Sequence, residues 1–199
     1  TPAGRVVQII DLPGTYSLRA RSPDEEITRD AVLGRLAGEV APDLIVCVAD
    51  ASNLRLALRL ALELKRVGRP VMLSLNMMDI ARKRGIEIDA ARLGRELGVP
   101  VVSSVAVRRG GTGDLLRQLD GALADLPAVG ISSWSAPDAG ELRGGQHEAD
   151  RLLRAAVRRT GERDAGTARV DAVLLHPVAG LLILLAILFV MFQAVFAWN

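Results

Sequence analysis

The feature that most limits what this chain can become is its last segment. From Ala172 to Asn199 there is no Asp, Glu, Lys or Arg, and the 21 residues from Val178 to Trp198 carry only Gln193 as a clearly polar side chain. About 20 apolar residues rising 1.5 Å each match a hydrocarbon thickness of about 30 Å, so a transmembrane helix is expected here. A helix of that length buried in a soluble core would keep a polar stripe, and this one has none. Trp198 is expected at the far interface. Arg154, Arg158, Arg159, Arg163 and Arg169, all ahead of the helix, place the preceding part on the cytoplasmic side.

That preceding part reads as an α/β domain. Apolar, β-branched runs at Val6–Ile10, Asp43–Ala49, Pro70–Leu75 and Val99–Ser104 are expected as strands. Helices fall between them. Ser22, with Pro23 behind it and Glu25 completing a capping box, starts one that runs to about Leu36. Leu54–Val67 is the next, apolar on too many sides for a narrow stripe and ended by Gly68; Asp89 caps a third that Gly98 closes, and Asp114–Leu126 is the last. Strands alternating with helices in this rhythm imply a parallel sheet with helices on both faces.

From Ala128 to about Gly145 the composition shifts to Gly, Ser, Pro and Ala, which reads as a linker docked by Trp134. A short Arg-rich helix over Gln146–Thr160 and a loop over Gly161–Thr167 follow. The expected divisions are 1–129, 130–171 and 172–199. A net charge of +2 is too small to argue for nucleic-acid binding. The single cysteine, Cys47, rules out an internal disulfide, and its apolar surroundings suit a buried, inert thiol. His147 and His176 have no partner at ligand spacing and read as surface or capping residues.

Three short motifs follow expected strands. Asp11-Leu12-Pro13-Gly14 places a carboxylate and a flexible backbone after the first one, at the strand end where open α/β sheets bind ligands. Alone it could be a plain turn. Asn76-Met77-Met78-Asp79 follows the third strand. A carboxylate there can accept from N1 and the exocyclic amine of guanine, a donor pair that adenine lacks; alone it could equally be a helix N-cap by Asp79. Ser104-Val105-Ala106 follows the fourth strand, where the Ala106 N–H could meet guanine O6. Order, spacing and placement together match a GTPase, with a fold class of α/β, parallel-sheet and P-loop GTPase-like, followed by a short helical linker and one transmembrane helix.

Asp11-Leu12-Pro13-Gly14-Thr15-Tyr16-Ser17-Leu18, Ser22-Pro23-Asp24-Glu25-Glu26, Asp50-Ala51-Ser52-Asn53-Leu54 and Asn76-Met77-Met78-Asp79 resemble the G domain of the bacterial ferrous iron transport protein B family. His176-Pro177-Val178-Ala179-Gly180, with Phe192-Gln193 inside the apolar helix, resembles that family's first membrane segment. The resemblance implies an inner-membrane Fe²⁺ transporter whose cytoplasmic GTPase domain binds GTP or GDP with Mg²⁺ and hydrolyses slowly. It implies Asp11 as a water-mediated Mg²⁺ partner, Gly14 as a γ-phosphate contact, and Asn76, Asp79 and Ala106 around guanine. Leu12, Pro13, Met77, Met78, Ser104 and Val105 complete those motifs; Val105 replaces the usual Ser, so only the backbone role of Ala106 carries over. Thr15 stands where many GTPases place a water-orienting Gln, so no catalytic base is assigned. Small accessory iron-transport proteins and self-association are the implied partners. The helical domain that the family often carries after its G domain, thought to steady GDP, has room here for only a short version.

The 199 residues contain no Gly-x-x-x-x-Gly-Lys-[Ser/Thr] phosphate loop, and the switch I threonine region would precede Thr1, so a fragment of a longer transporter is expected. An alternative is a membrane-tethered GTPase-like module that binds a partner without hydrolysis. A soluble GTPase of the tRNA-modification or ribosome-assembly type is disfavoured by the uncharged C-terminal run.

Overall fold

The computed structural model describes residues 1–124, 126, 134–159 and 172–197. Its core is a parallel sheet of β1 (Ile45–Asp50), β2 (Val71–Asn76) and β4 (Val101–Ser103), in the order β1-β2-β4. The helices are α1 (Pro23–Leu33), α2 (Leu54–Arg66), α3 (Met78–Lys83), α4 (Ala90–Leu97), α5 (Gly113–Ala124), α6 (Ala139–Ala156) and α7 (Pro177–Ala197). A separate antiparallel pair joins β3 (Ile86–Ile88) to β5 (Val157–Arg159), with Ile88 opposite Val157.

The local signals act largely as expected. Ser22 Oγ accepts from the Glu25 N–H at 3.3 Å, whereas Glu25 Oε2 reaches back to the Arg21 N–H at 2.7 Å rather than to Ser22. Asp89 Oδ1 accepts from the Arg92 N–H at 2.8 Å and Gly98 closes α4 at φ 70°. The apolar breadth of α2 serves two interfaces. Leu54, Leu58, Ala61 and Leu64 are buried, a stripe of helical period, and α2 packs on β1 and β2 as well as on α6. Each fully buried leucine contributes about 1.5–3 kcal/mol. Ala149, Leu152 and Ala156 make the matching buried stripe of α6.

Four expectations need correcting. Val6–Ile10 is not a strand: Val6 is fully exposed and Ile9 is 79% exposed, because no strand among the described residues pairs with this run and its backbone joins no ladder. β2 is buried on both faces, but β1 alternates buried and exposed, with Val48 at 65%, so helices do not cover both faces of the sheet at β1. α1 stops at Leu33 instead of about Leu36, because Gly34 adopts φ 70° and its N–H caps Ala31 and Asp30. α6 begins at Ala139, inside the expected linker, with a full capping box: Asp138 accepts from the Glu141 N–H and Glu141 from the Asp138 N–H. It ends at Ala156, where the Asp89 N–H binds the Ala156 carbonyl and the chain turns into β5. Trp134 does pack, partly buried, against the core. Trp198, Gly161–Thr167, Arg163 and Arg169 lie outside the described residues.

α7 is 21 residues long, which at 1.5 Å per residue gives about 31 Å. Its length and composition suffice to cross a membrane, and its hydrophobic side chains are exposed, Phe189 at 68% and Leu182 at 61%. His176 caps it, as a capping residue was expected to: its Nδ1 accepts from the Val178 and Ala179 N–H groups, each at 3.3 Å.

Candidate functional site

The register of the sheet decides which loops meet. Asp50 lies opposite Asn76, and Leu75 opposite Ser103, so the chain leaves β1, β2 and β4 at one level. The Ser104 N–H extends the β2–β4 pairing by binding the Leu75 carbonyl at 2.7 Å. The Ser104 side chain is buried, its hydroxyl 3.1 Å from that of Ser74, so it fixes where the next loop starts and points into the core.

That loop is closed upon itself. The Val105 N–H binds the Gly111 carbonyl at 3.1 Å, the Arg108 N–H the Val105 carbonyl at 2.9 Å, and the Gly111 N–H the Arg108 carbonyl at 2.9 Å. A Cβ on Gly111 would lie 2.0 Å from the Val105 oxygen, so only glycine fits there. Within this ring the exposed Ala106 N–H donates to Asn76 Oδ1 at 3.1 Å. Asn76 thus braces the loop that follows β4, joining two of the expected motifs by a direct bond.

Met77 stands at φ 61°, the one non-glycine residue with positive φ among the described residues. Such a conformation costs on the order of 1–3 kcal/mol, and it is held because the Met77 carbonyl accepts from the Ile80 and Ala81 N–H groups, each at 3.0 Å. The turn leaves Met77 40% exposed, buries Met78 and puts Asp79 in the first turn of α3. Asp79 does not cap that helix, since Met77 occupies the cap position without a side-chain bond. Its carboxylate pairs instead with the Arg108 guanidinium at 3.6 Å. A guanidinium and the N1/N2 edge of guanine both bring N–H donors to a carboxylate, but Arg108 meets this one through a single nitrogen beyond hydrogen-bond distance.

The Asp11–Gly14 turn is fixed elsewhere. Asp11 and Gly14 are exposed, Leu12 packs against the core, and the Pro13 carbonyl accepts from Thr28 Oγ1 at 2.7 Å. A Cβ on Gly14 would touch nothing within 4 Å, leaving its outer side open. The Thr15 hydroxyl donates to the Ser17 carbonyl at 2.7 Å and is engaged within the turn. No hydrogen bond among the described residues links this turn to the Asn76–Ala106 cluster. The described residues also hold no group of three or more potential metal-ligating side chains. Asp11 therefore offers one carboxylate, which suits an ion brought in by a phosphate and its waters, not a protein-built cage. Arg108 and Gly111 were missed in the sequence; a glycine-rich basic loop after β4 was the available signal.

A sequence profile described as "Ferrous iron transport protein B" matches residues 2–119. The Fe(2+) transporter FeoB of Campylobacter jejuni is 33% identical over 193 residues, covering 96% of this chain and 30% of the relative. Among solved structures, the FeoB G-domain from Methanococcus jannaschii has 41% identity and a TM-score of 0.54, covering 58% of this chain and 71% of that one. The cytosolic domain of T. maritima FeoB in its GMPPNP form has a TM-score of 0.61 at 24% identity, covering 75% and 80%, and supports the fold alone. The chain spans only 12% to 31% of the length of the first curated relatives it matches. With the profile over more than half of the sequence and the Asn76–Asp79 and Ala106 loops meeting beyond the C-terminal ends of β2 and β4, the chain belongs to the ferrous iron transport protein B family, of which it carries G-domain sequence.

Proposed function

We propose that this chain is the guanine-reading, switch-bearing part of a membrane Fe²⁺ transporter. The observation that carries the reading is the 3.1 Å bond from the Ala106 N–H to Asn76, which holds the Ala106 loop to the end of β2, from which the turn carrying Asp79 departs. Asp79 would accept from guanine N1–H and the exocyclic amine, displacing Arg108. Charge-assisted bonds of this kind contribute about 1.5–3 kcal/mol each, and adenine, with an acceptor at N1, would repel the carboxylate. Met77 would lie against the base from its exposed turn. Asp11 would orient water on a nucleotide-borne Mg²⁺, which would neutralise phosphate charge, and Gly14 would approach the γ-phosphate with its open backbone. The family shown by the profile over residues 2–119 includes a T. maritima cytosolic domain solved in GMPPNP and GDP forms, and that shared membership supports a guanine nucleotide as ligand. α7 would anchor the domain in the inner membrane with the sheet on the cytoplasmic side.

Binding without hydrolysis is the second reading. It is favoured by the Thr15 hydroxyl being engaged with Ser17 at the position where many GTPases orient water. Displacement of mant-GDP from the full chain in detergent micelles tests the guanine reading. GDP should compete at least about 10-fold better than ADP, as follows from one lost charge-assisted bond; equal competition would refute the assignment.

A further inference from the structure

Glu63 lies in the last turn of α2 and is 9% exposed, yet it forms no ion pair among the described residues. A buried carboxylate is costly unless its oxygens are occupied, and the partners of this one come from a single short segment. Glu63 Oε2 accepts from the Leu18 N–H at 2.7 Å, and Ser17 Oγ reaches both carboxylate oxygens at 2.9 and 3.1 Å. Leu18 itself is 1% exposed and belongs to the core. Ser17 is joined back to Thr15 by the Thr15 Oγ1 bonds to its carbonyl and N–H, at 2.7 and 3.2 Å. The chain of bonds from Glu63 thus ends one residue from Gly14. On its other side α2 packs on α6, with the Arg66–Glu141 ion pair between them, and Glu63 lines the cleft of about 470 Å³ that separates the two helices.

We infer that Glu63 is a positioning residue for the Asp11–Gly14 turn: its carboxylate fixes where residues 15–18 run and thereby which positions the turn can take. This rests on reading that turn as the part of the site that senses the terminal phosphate. Two features make anchoring more than packing. A hydrophobic residue at position 63 could fill the same space, but it would leave the buried Leu18 N–H without an acceptor. The bonds also go to the backbone and to a serine directly beyond the turn, so loosening them frees the turn before it frees the core.

The test uses the full chain in detergent micelles and compares wild type with Glu63→Ala and Glu63→Gln, the latter keeping an oxygen for the Leu18 N–H. Amide hydrogen exchange without nucleotide is the first measurement. Glu63→Ala should speed exchange of the bonded Ser17, Leu18 and Arg19 amides at least about 10-fold while β2 stays protected, and Glu63→Gln should restore at least half of the protection on a logarithmic scale. Unchanged exchange over 17–19 in Glu63→Ala, or loss that spreads equally through β2, would overturn the inference. Equilibrium binding of mant-GDP and mant-GMPPNP is the second. Glu63→Ala should shift the ratio of their affinities at least about 3-fold, and Glu63→Gln should shift it less; a lower melting temperature with an unchanged ratio would reduce Glu63 to a structural residue and overturn the inference. Absence of any mant-nucleotide binding by the wild type would refute the guanine reading itself, with the anchoring then decided by exchange alone.

Discussion

Replacing Gly111 by alanine adds one methyl group where the loop after β4 has no room. The new Cβ would sit 2.0 Å from the Val105 oxygen and 3.0 Å from the Arg108 oxygen, both backbone atoms that cannot swing aside like a side chain. Relief requires the ring to open, losing the Val105–Gly111 and Gly111–Arg108 bonds. At about 0.5–1.5 kcal/mol each, these amount to about 1–3 kcal/mol against the conformation in which the Ala106 N–H holds the loop to Asn76. If that conformation is the one that meets guanine, affinity should fall by about 5- to 150-fold, since a population loss appears directly in the apparent dissociation constant. The ring is mostly exposed and touches the hydrophobic core only through Val105, so the main thermal transition should move by only about 2 °C. Titration with mant-GDP beside a circular-dichroism melt separates the effects. Undiminished guanine affinity would refute the assignment of this loop to the base site; a collapse of the melt would show that the ring supports the core.

The remaining predictions concern the ion pair, the thiol and the core. Arg108→Ala removes the cation held by Asp79; because exposed pairs are worth about 0–1 kcal/mol, mant-GDP should bind up to about 5-fold more tightly at low salt, with the difference fading near 1 M salt, and weaker binding would contradict the idea that guanine displaces Arg108. Burial pushes the Cys47 thiol up to about 11 from an ordinary 9.0, so native protein should react slowly with a thiol reagent at pH 8. A raised pKa in the folded state means that the stabilisation is complete below the unfolded value and lost as pH climbs through the folded one. Urea midpoints should therefore fall between about pH 9 and 11 in wild type and not in Cys47→Ala. Leu58→Ala opens a fully buried site between α2 and the sheet and should cost about 2–5 kcal/mol in urea unfolding; a loss below 1 kcal/mol would show that α2 is less tightly packed than described.

What the sequence revealed was mainly what is local. The runs expected as strands at Asp43–Ala49 and Pro70–Leu75, which form β1 at Ile45–Asp50 and β2 at Val71–Asn76, the Ser22 and Asp89 caps and the Gly98 stop each act within a few residues, and each appears in the structure. Gly34 was an equally local stop for α1, overlooked beside the apolar residues that follow it. Val6–Ile10 had the composition of a strand, but a strand also needs a neighbour, and composition says nothing about one. α6 shows the reverse case: Gly140, Gly144 and Gly145 lower helix propensity, yet the Asp138–Glu141 capping box and burial against α2 outweigh them. At the site, the Asn76 and Asp79 motif was legible because its spacing is fixed by one turn. The links from Asp79 to Arg108 and from Glu63 to Leu18 were not, because each joins residues that only the fold brings together.

The central claim is that Asp79 selects guanine, and exchanging its acceptor for a donor tests it most directly. Asp79→Asn presents an amide N–H where guanine N1–H and its amine would donate, and where xanthine offers a carbonyl oxygen. Competition of GDP and XDP for the mant-nucleotide site of the full chain should show wild type favouring GDP and Asp79→Asn favouring XDP, with the ratio reversed by at least about 10-fold, the loss of one charge-assisted bond. A GDP preference that survives Asp79→Asn unchanged would contradict the account.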